Sequence, residues 1–200
     1  MYSVITLNAR RQASIVRIGE RYSVISLAPR LLRSAMNSTN PVIRNVLPAD
    51  LDRCYAIETV AYEGDEAATR EKIATRIATW PEGFIVAEVD GVVAGFINSG
   101  AAFEVEMSDE AFKELIGHDP AGPHVVIMSV VVHPDFQGQG LAKRLMGEFI
   151  ERMRAMGKAS INLMCKERHI PLYAGFGFAY VKPSASDHGG MAWHEMVLSL

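Results

Sequence analysis

The sequence has almost no cysteine: Cys54 and Cys165 are the only two in 200 residues. Two thiols cannot build the disulfide framework of a small secreted domain, and their spacing suits no zinc site. Both are expected as buried apolar thiols in a reducing compartment, which points to a cytoplasmic protein with no metal. Nowhere does the chain gather the roughly 18 consecutive apolar residues that a bilayer crossing takes, so no membrane partner is expected. The unbroken apolar centre of a secretory signal is also missing. A basic surplus is lacking as well: the formal charge is −3, whereas phosphate-driven binding normally needs a positive excess, so nucleic acid is not an expected partner.

What the chain does have is 49% hydrophobic and 22% charged residues, enough for one globular domain with a sizeable core. Its charge is uneven. Six arginines against one acid give residues 1–40 a charge of +5, which leaves −8 on the rest. That acidic remainder suits cationic substrates. The first forty residues also contain two near copies, YSVITL and YSVISL, too few for a solenoid. Residues 1–40 are therefore read as a basic extension dispensable for the chemistry, with Met36 a candidate start, and residues 41–200 as the working domain.

Within that domain the hydrophobic pattern becomes regular. PVIRNV reads as a strand and residues 48–62 as a helix opened by Pro48. A second helix ends before Pro81. FIVAEV and VVAGFI flank Asp90-Gly91, the signature of a tight hairpin. MSDEAFKELIG is expected to form a short helix capped by Ser108. HVVIMSVVV, nearly uninterrupted, reads as a strand covered on both faces. Leu141, Leu145, Met146, Phe149, Ile150, Met153 and Met156 recur at helical spacing, and Gly157 closes that helix. SINLMC, a short helix or turn in HIPLYAGFGF, and a final strand in MAWHEMVLSL complete a mixed α/β domain.

Between the apolar strand and its helix lies HPDFQGQGLAKRL. A helix start carries about four unpaired N–H groups and about half a positive charge, and a glycine-rich approach brings an anion close to them. A phosphate or diphosphate is the expected guest, with Lys143 and Arg144 adding long-range attraction. A dinucleotide fingerprint would need glycine where Lys143 stands, and no nucleoside-triphosphate loop G-x-x-x-x-G-K-S/T occurs.

Gln137-Gly138-Gln139-Gly140-Leu141-Ala142 resembles the Q/R-x-x-G-x-G/A signature of the GNAT superfamily of acyl-CoA N-acyltransferases. VVVHPDFQGQGLAKRL, LMCKERHIPLYAGFGF and the HEMVLSL ending are similar to its arylalkylamine (serotonin-type) N-acetyltransferase branch, as is MSDEAFKELIGHDPAGPH. The resemblance covers roughly residues 42–200. It implies a GNAT-like fold: a mixed sheet of six to seven strands flanked by helices and splayed between the strands at 124–132 and 160–165. It also implies acetyl-CoA as acyl donor, held by Gln137, Gly138, Gln139, Gly140, Leu141, Ala142 and Lys143 at the diphosphate. The backbone of Val130, Val131 and Val132 would pair with the pantetheine arm as an added strand does. A free strand N–H near Met128 to Val130 would stabilise the tetrahedral oxyanion. A homodimer is one assembly open to such a domain.

Direct attack by an amine makes two proton demands. An amine with a pKa of about 10.4 costs roughly 4.6 kcal/mol to deprotonate at pH 7. The departing thiolate needs a proton, and Tyr173 matches the family's tyrosine acid and contacts the donor. The base is less clear, because Val126 and Met128 stand where the vertebrate-type branch carries a His-x-His pair. His124, two residues earlier with the same strand parity, is the candidate, working through water; Glu58 and His169 are rivals. Phe103, Met107, Phe112 and Met128 are candidates for an apolar acceptor pocket. The expected acceptor is a small primary amine, with arylalkylamines preferred and polyamines, amino acids, aminoglycosides and protein N-termini open. The other function classes are an acyl-CoA-binding module without turnover and a nucleotide binder.

Overall fold

A computed structural model describes residues 40–62, 67–186 and 190–200. The YSVITL and YSVISL copies and Met36 lie outside the described residues. Among the described residues seven strands form one sheet: β1 (Val42–Asn45), β2 (Phe84–Val89), β3 (Val92–Ala102), β4 (His124–Val132), β5 (Ser160–Cys165), β6 (Ala179–Pro183) and β7 (His194–Ser199). Their spatial order is β1-β2-β3-β4-β5-β7-β6. Every neighbouring pair is antiparallel except β4 and β5. Among the described residues four helices accompany it: α1 (Leu51–Ala61), α2 (Arg70–Thr79), α3 (Leu141–Ala155) and α4 (Ile170–Ala174). This is the GNAT-like mixed sheet expected from the sequence.

The sheet separates two cores. On one face Cys54 and Ile57 of α1 and Ile73 and Ile77 of α2 pack with Phe84, Phe96, Val126 and Met128. On the other, Leu145, Met146, Phe149 and Met153 of α3 pack with Ile85, Ile97, Ile127 and Ile161. Each such fully buried side chain contributes about 1.5–3 kcal/mol relative to exposure. Both cysteines are free and buried, and burial pushes the Cys165 thiol up to about 12.

Local chemistry sets the joints. Asp90 and Gly91 both take positive φ, 51° and 79°, as a primed hairpin turn requires. Thr69 caps α2, its side chain accepting from the Lys72 amide. The insert after β3 departs from expectation: in place of a helix capped by Ser108 there is a single 3-10 turn over Ala111–Glu114. The Ser108 hydroxyl donates to Glu106 Oε1 at 2.7 Å instead, and a left-handed Leu115 ends the turn. No described helix is long and apolar enough to cross a membrane.

Candidate functional site

The central strand is where the sheet opens. β4 and β5 run parallel and pair only over Val126↔Asn162, Val125↔Ile161 and His124↔Ser160. Side chains pin that closed end: Asn162 Nδ2 donates to the Val125 carbonyl at 3.2 Å, and His124 Nδ1 lies 2.9 Å from Ser160 Oγ. Beyond Val126 the strands part, so the edge of β4 that faces β5 has no ladder partner there. Splaying between 124–132 and 160–165 was expected and is observed.

The open part begins with a bulge. Against β3, Asn98 faces Ser129 and Ser99 faces Ile127, which leaves Met128 as the extra residue. A bulged residue is released from the ladder and the strand twists more strongly there. The bulge also resets the alternation. Before it, Val126 and Met128 belong to the α1 side; after it, Val131 does, while Val130 and Val132 pack toward α3. Val130, Val131 and Val132 keep their β3 partners Ile97, Phe96 and Gly95. Gln137 Nε2 donates to the Val132 carbonyl at 2.9 Å, tying the following loop to the strand end.

That loop ends at α3. Gly138 and Gly140 have φ of 75° and 76°, and a Cβ at either would meet no atom within 4 Å. Glycine is thus required there by backbone conformation, and the space beside each is open. The Arg144 amide is the first in α3 to reach an i−4 carbonyl, Gly140 O at 3.1 Å. The amides of Leu141, Ala142 and Lys143 precede it, as helix geometry dictates. No acid stands in the first turn, Gly140 supplies no capping side chain, and Gln139 and Lys143 are exposed. These features fit the diphosphate of an acyl-CoA: aimed donors, positive dipole, adjacent cation, room for approach.

Tyr173 sits on α4, fully buried, edge-on to Phe178 with ring centroids 5.7 Å apart. It shares its core with Val130 of β4 and Cys165 of β5, the strands that part.

On the α1 side a polar group interrupts the other core. Glu58 is fully buried on α1; its Oε1 accepts from the Ala68 amide at 3.1 Å and the Ser129 hydroxyl at 3.3 Å. Its Oε2 has no hydrogen-bond partner among the described residues. Burial pushes the Glu58 carboxyl up to about 7, against the opposing pull of the Ala68 amide and of Arg76. Asn98, opposite Ser129, is buried with Nδ2 unpartnered among the described residues, and its Oδ1 accepts from Arg76 Nη1 at 3.4 Å. Sequence reading missed Ser129, Asn98 and Arg76. The signal for Ser129 was present, since it is the one polar residue within VVIMSVVV.

The other candidates are placed as follows. His124 stands in the closed end, four residues before the bulge, about 13 Å along an extended strand. His169 is buried and its Nε2 accepts from Arg168 Nε at 3.1 Å; burial, then Arg168 and Lys166, lower it to about 4. Phe103 is exposed. Met107, Phe112 and Met128 are core residues, and Phe112 packs so tightly on Gly100 that a Cβ there would meet its ring at 2.8 Å.

Residues 51–178 match the acetyltransferase (GNAT) family, and the chain belongs to that family. An uncharacterized N-acetyltransferase, ycf52 of Gracilaria tenuistipitata var. liui, is 36% identical over 73 residues, 36% of this chain and 38% of that one. The L-amino acid N-acyltransferase MnaT of Escherichia coli (strain K12) is 35% identical over 74 residues, 37% of this chain and 35% of that one. The chain thus spans little more than a third of these curated relatives. Among solved structures, the loading GNATL domain of CurA from Lyngbya majuscula superposes with a TM-score of 0.71 at 17% identity, covering 80% of this chain and 98% of that one. The structure of yncA from Salmonella typhimurium with its cofactor acetyl-CoA gives 0.60 at 25% identity, covering 81% and 95%.

Proposed function

We propose that the protein transfers the acetyl group of acetyl-CoA to a small primary amine by direct attack. The observation that carries this reading is the conjunction of a bulge at Met128 and an edge free of β5 on one strand with an uncapped helix start at Gly140 just beyond it. Acetyl-CoA supplies an activated acyl carbon. The amides of residues 138–142 hold the diphosphate, and the free edge over Val130, Val131 and Val132 aligns the pantetheine arm as an added strand. A backbone N–H released by the bulge donates to the developing oxyanion, an interaction typically worth about 10²–10³ in rate. Tyr173 gives its phenolic proton to the departing sulfur, matching a pKa of about 10 to that of a thiol.

Arylalkylamines head the candidate acceptors, because the resemblance of residues 107–124 and 163–178 favours them. L-amino acids come second, since a 35% identical relative is named for them. The test is release of free thiol from acetyl-CoA with a panel of arylalkylamines, amino acids, polyamines and aminoglycosides. Amine-dependent release is expected; its absence across the panel from protein that binds acetyl-CoA overturns the enzyme reading in favour of a binding module.

A further inference from the structure

The transfer proposed above needs a proton acceptor, and three groups compete for the role. His124 is engaged with Ser160 at the closed end of the β4–β5 fork. His169 has its Nε2 lone pair occupied by Arg168. Glu58 differs from both. It is a fully buried carboxylate with one oxygen unpartnered among the described residues, and the other oxygen accepts from the hydroxyl of the residue that follows the bulge.

We infer that Glu58 takes the proton of the attacking amine through the hydroxyl of Ser129, at the point where β4 leaves β5. The inference rests on the acetyltransferase reading. Ser129 is adjacent to Met128, whose release from the ladder marks the oxyanion donor, so its hydroxyl belongs to the neighbourhood of the reacting carbon. Starting from the neutral amine, its ammonium proton already released to solvent, the nitrogen gives one proton to Ser129 Oγ while Ser129 gives its own to Glu58 Oε1. The nitrogen lone pair forms the new C–N bond, the C–S bond breaks, and the sulfur receives the Tyr173 proton. One proton is lost from nitrogen and one gained by sulfur; Glu58 and Tyr173 then re-equilibrate with solvent.

The surroundings suit a carboxylate that must give its proton back. Among the described residues, α2 brings Arg76, whose charge favours the ionised form, and Cys54 lies one turn earlier on α1. The sheet brings only the uncharged Asn98 and Ser129, and the 111–114 turn directs the Lys113 carbonyl, not its charge, at Arg76 Nη2 at 3.0 Å. Desolvation outweighs the helpers, so the group titrates close to neutrality, where a general base works best. Structural necessity alone does not account for a carboxylate here: capping the Ala68 amide uses one oxygen and would be done as well by a neutral amide.

E58Q keeps that cap and removes the base. With phenethylamine, or the fastest amine of the panel, E58Q is expected to lose about 100-fold or more in kcat. Its acetyl-CoA Kd should stay within about twofold, and the acid limb of kcat/KM near pH 7 should vanish. S129A, a small change that spares the fold, should lose at least about tenfold in kcat with the same unchanged Kd. Wild-type turnover and an unaltered acid limb in E58Q, or a wild-type rate in S129A, overturn the relay and leave the acetyltransferase reading intact. If E58Q does not fold, S129A decides alone. A wild type that binds acetyl-CoA and acetylates no amine overturns both.

Discussion

β4 does two different jobs along nine residues. Its first part, His124 to Val126, is ladder on both edges, latched to β5 by Asn162 and Ser160. From Ser129 to Val132 it is ladder on one edge only: past the bulge odd residues turn toward α1, and the edge that faces β5 has no ladder partner. Elsewhere in a sheet an unpaired inner edge is a cost in unsatisfied backbone groups. On the function proposed above, an extended ligand arm would complete the sheet here, so chemistry should concentrate in the open part and stability in the closed part.

The strongest way to break that division is Tyr173→Phe. The ring is buried against Phe178 beside the open part, and removing only the hydroxyl leaves the packing in place. Turnover is expected to fall about 10²–10⁴-fold, with acetyl-CoA affinity little changed. A steady-state assay alongside a thermal melt checks this; an unimpaired kcat would move the acid elsewhere.

Glu58 provides the next test, one that needs no substrate. Its carboxyl is raised from the ordinary 4.5 to about 7, so the folded protein keeps a proton that the unfolded chain has lost throughout that window. The native state then binds more protons, and stability falls as pH rises from about 4.5 to 7, then levels off. E58Q removes this loss. Its stability relative to wild type should improve by about 3 kcal/mol between pH 4.5 and 8. His169 acts in the opposite sense: lowered to about 4, it stays neutral when folded and adds stability as pH rises toward 6.5. Denaturant titrations should therefore find a shallow wild-type profile between pH 4.5 and 6.5 and a clear upward slope in E58Q.

A smaller effect is expected at the helix start. Gly140→Val forces a β-branched residue to φ near 76° with nothing crowding its side chain. The backbone penalty is about 1–2 kcal/mol, and the loop shift that relieves it should weaken acetyl-CoA at least about tenfold by calorimetry. The amine KM should not follow.

How much of this was legible beforehand follows from the range of the interactions involved. Six of the seven strands, the Asp90-Gly91 turn and the α3 stripe are local patterns of hydrophobicity and turn chemistry, and they read directly; β6, exposed along its whole length, offers no such pattern. Gly138 and Gly140 also read, because a positive φ is a demand on one residue. The bulge did not. HVVIMSVVV reads as one regular, nearly all-apolar strand, and the extra residue exists only through the register with Asn98 and Ser99, which are set by β3. For the same reason the parity of His124 with Met128 was a correct statement about faces and a poor guide to proximity. Glu58 was named among the rivals, and its position between Cys54 and Ala61 already put it on the buried face of α1. Its partner Ser129 comes from a strand 71 residues away in sequence, where pattern carries no information.

The smallest predicted effect is the sharpest probe of the comparison. His124 lies half-buried in the closed part, with Nδ1 at 2.9 Å from Ser160 Oγ, while Asn162 reaches the same hydroxyl at 3.0 Å. If the two parts of β4 divide their labour as the geometry implies, His124→Asn should leave kcat and its pH dependence within about twofold of wild type. It should cost no more than the single polar contact it disturbs, about 0.5–1.5 kcal/mol. A loss of turnover comparable to that of Tyr173→Phe would show that the fork works as a unit from its apex to its mouth, with the latch at Ser160 part of the proton path. Unchanged kinetics with a small drop in melting temperature would instead fix the boundary between scaffold and site at the bulge.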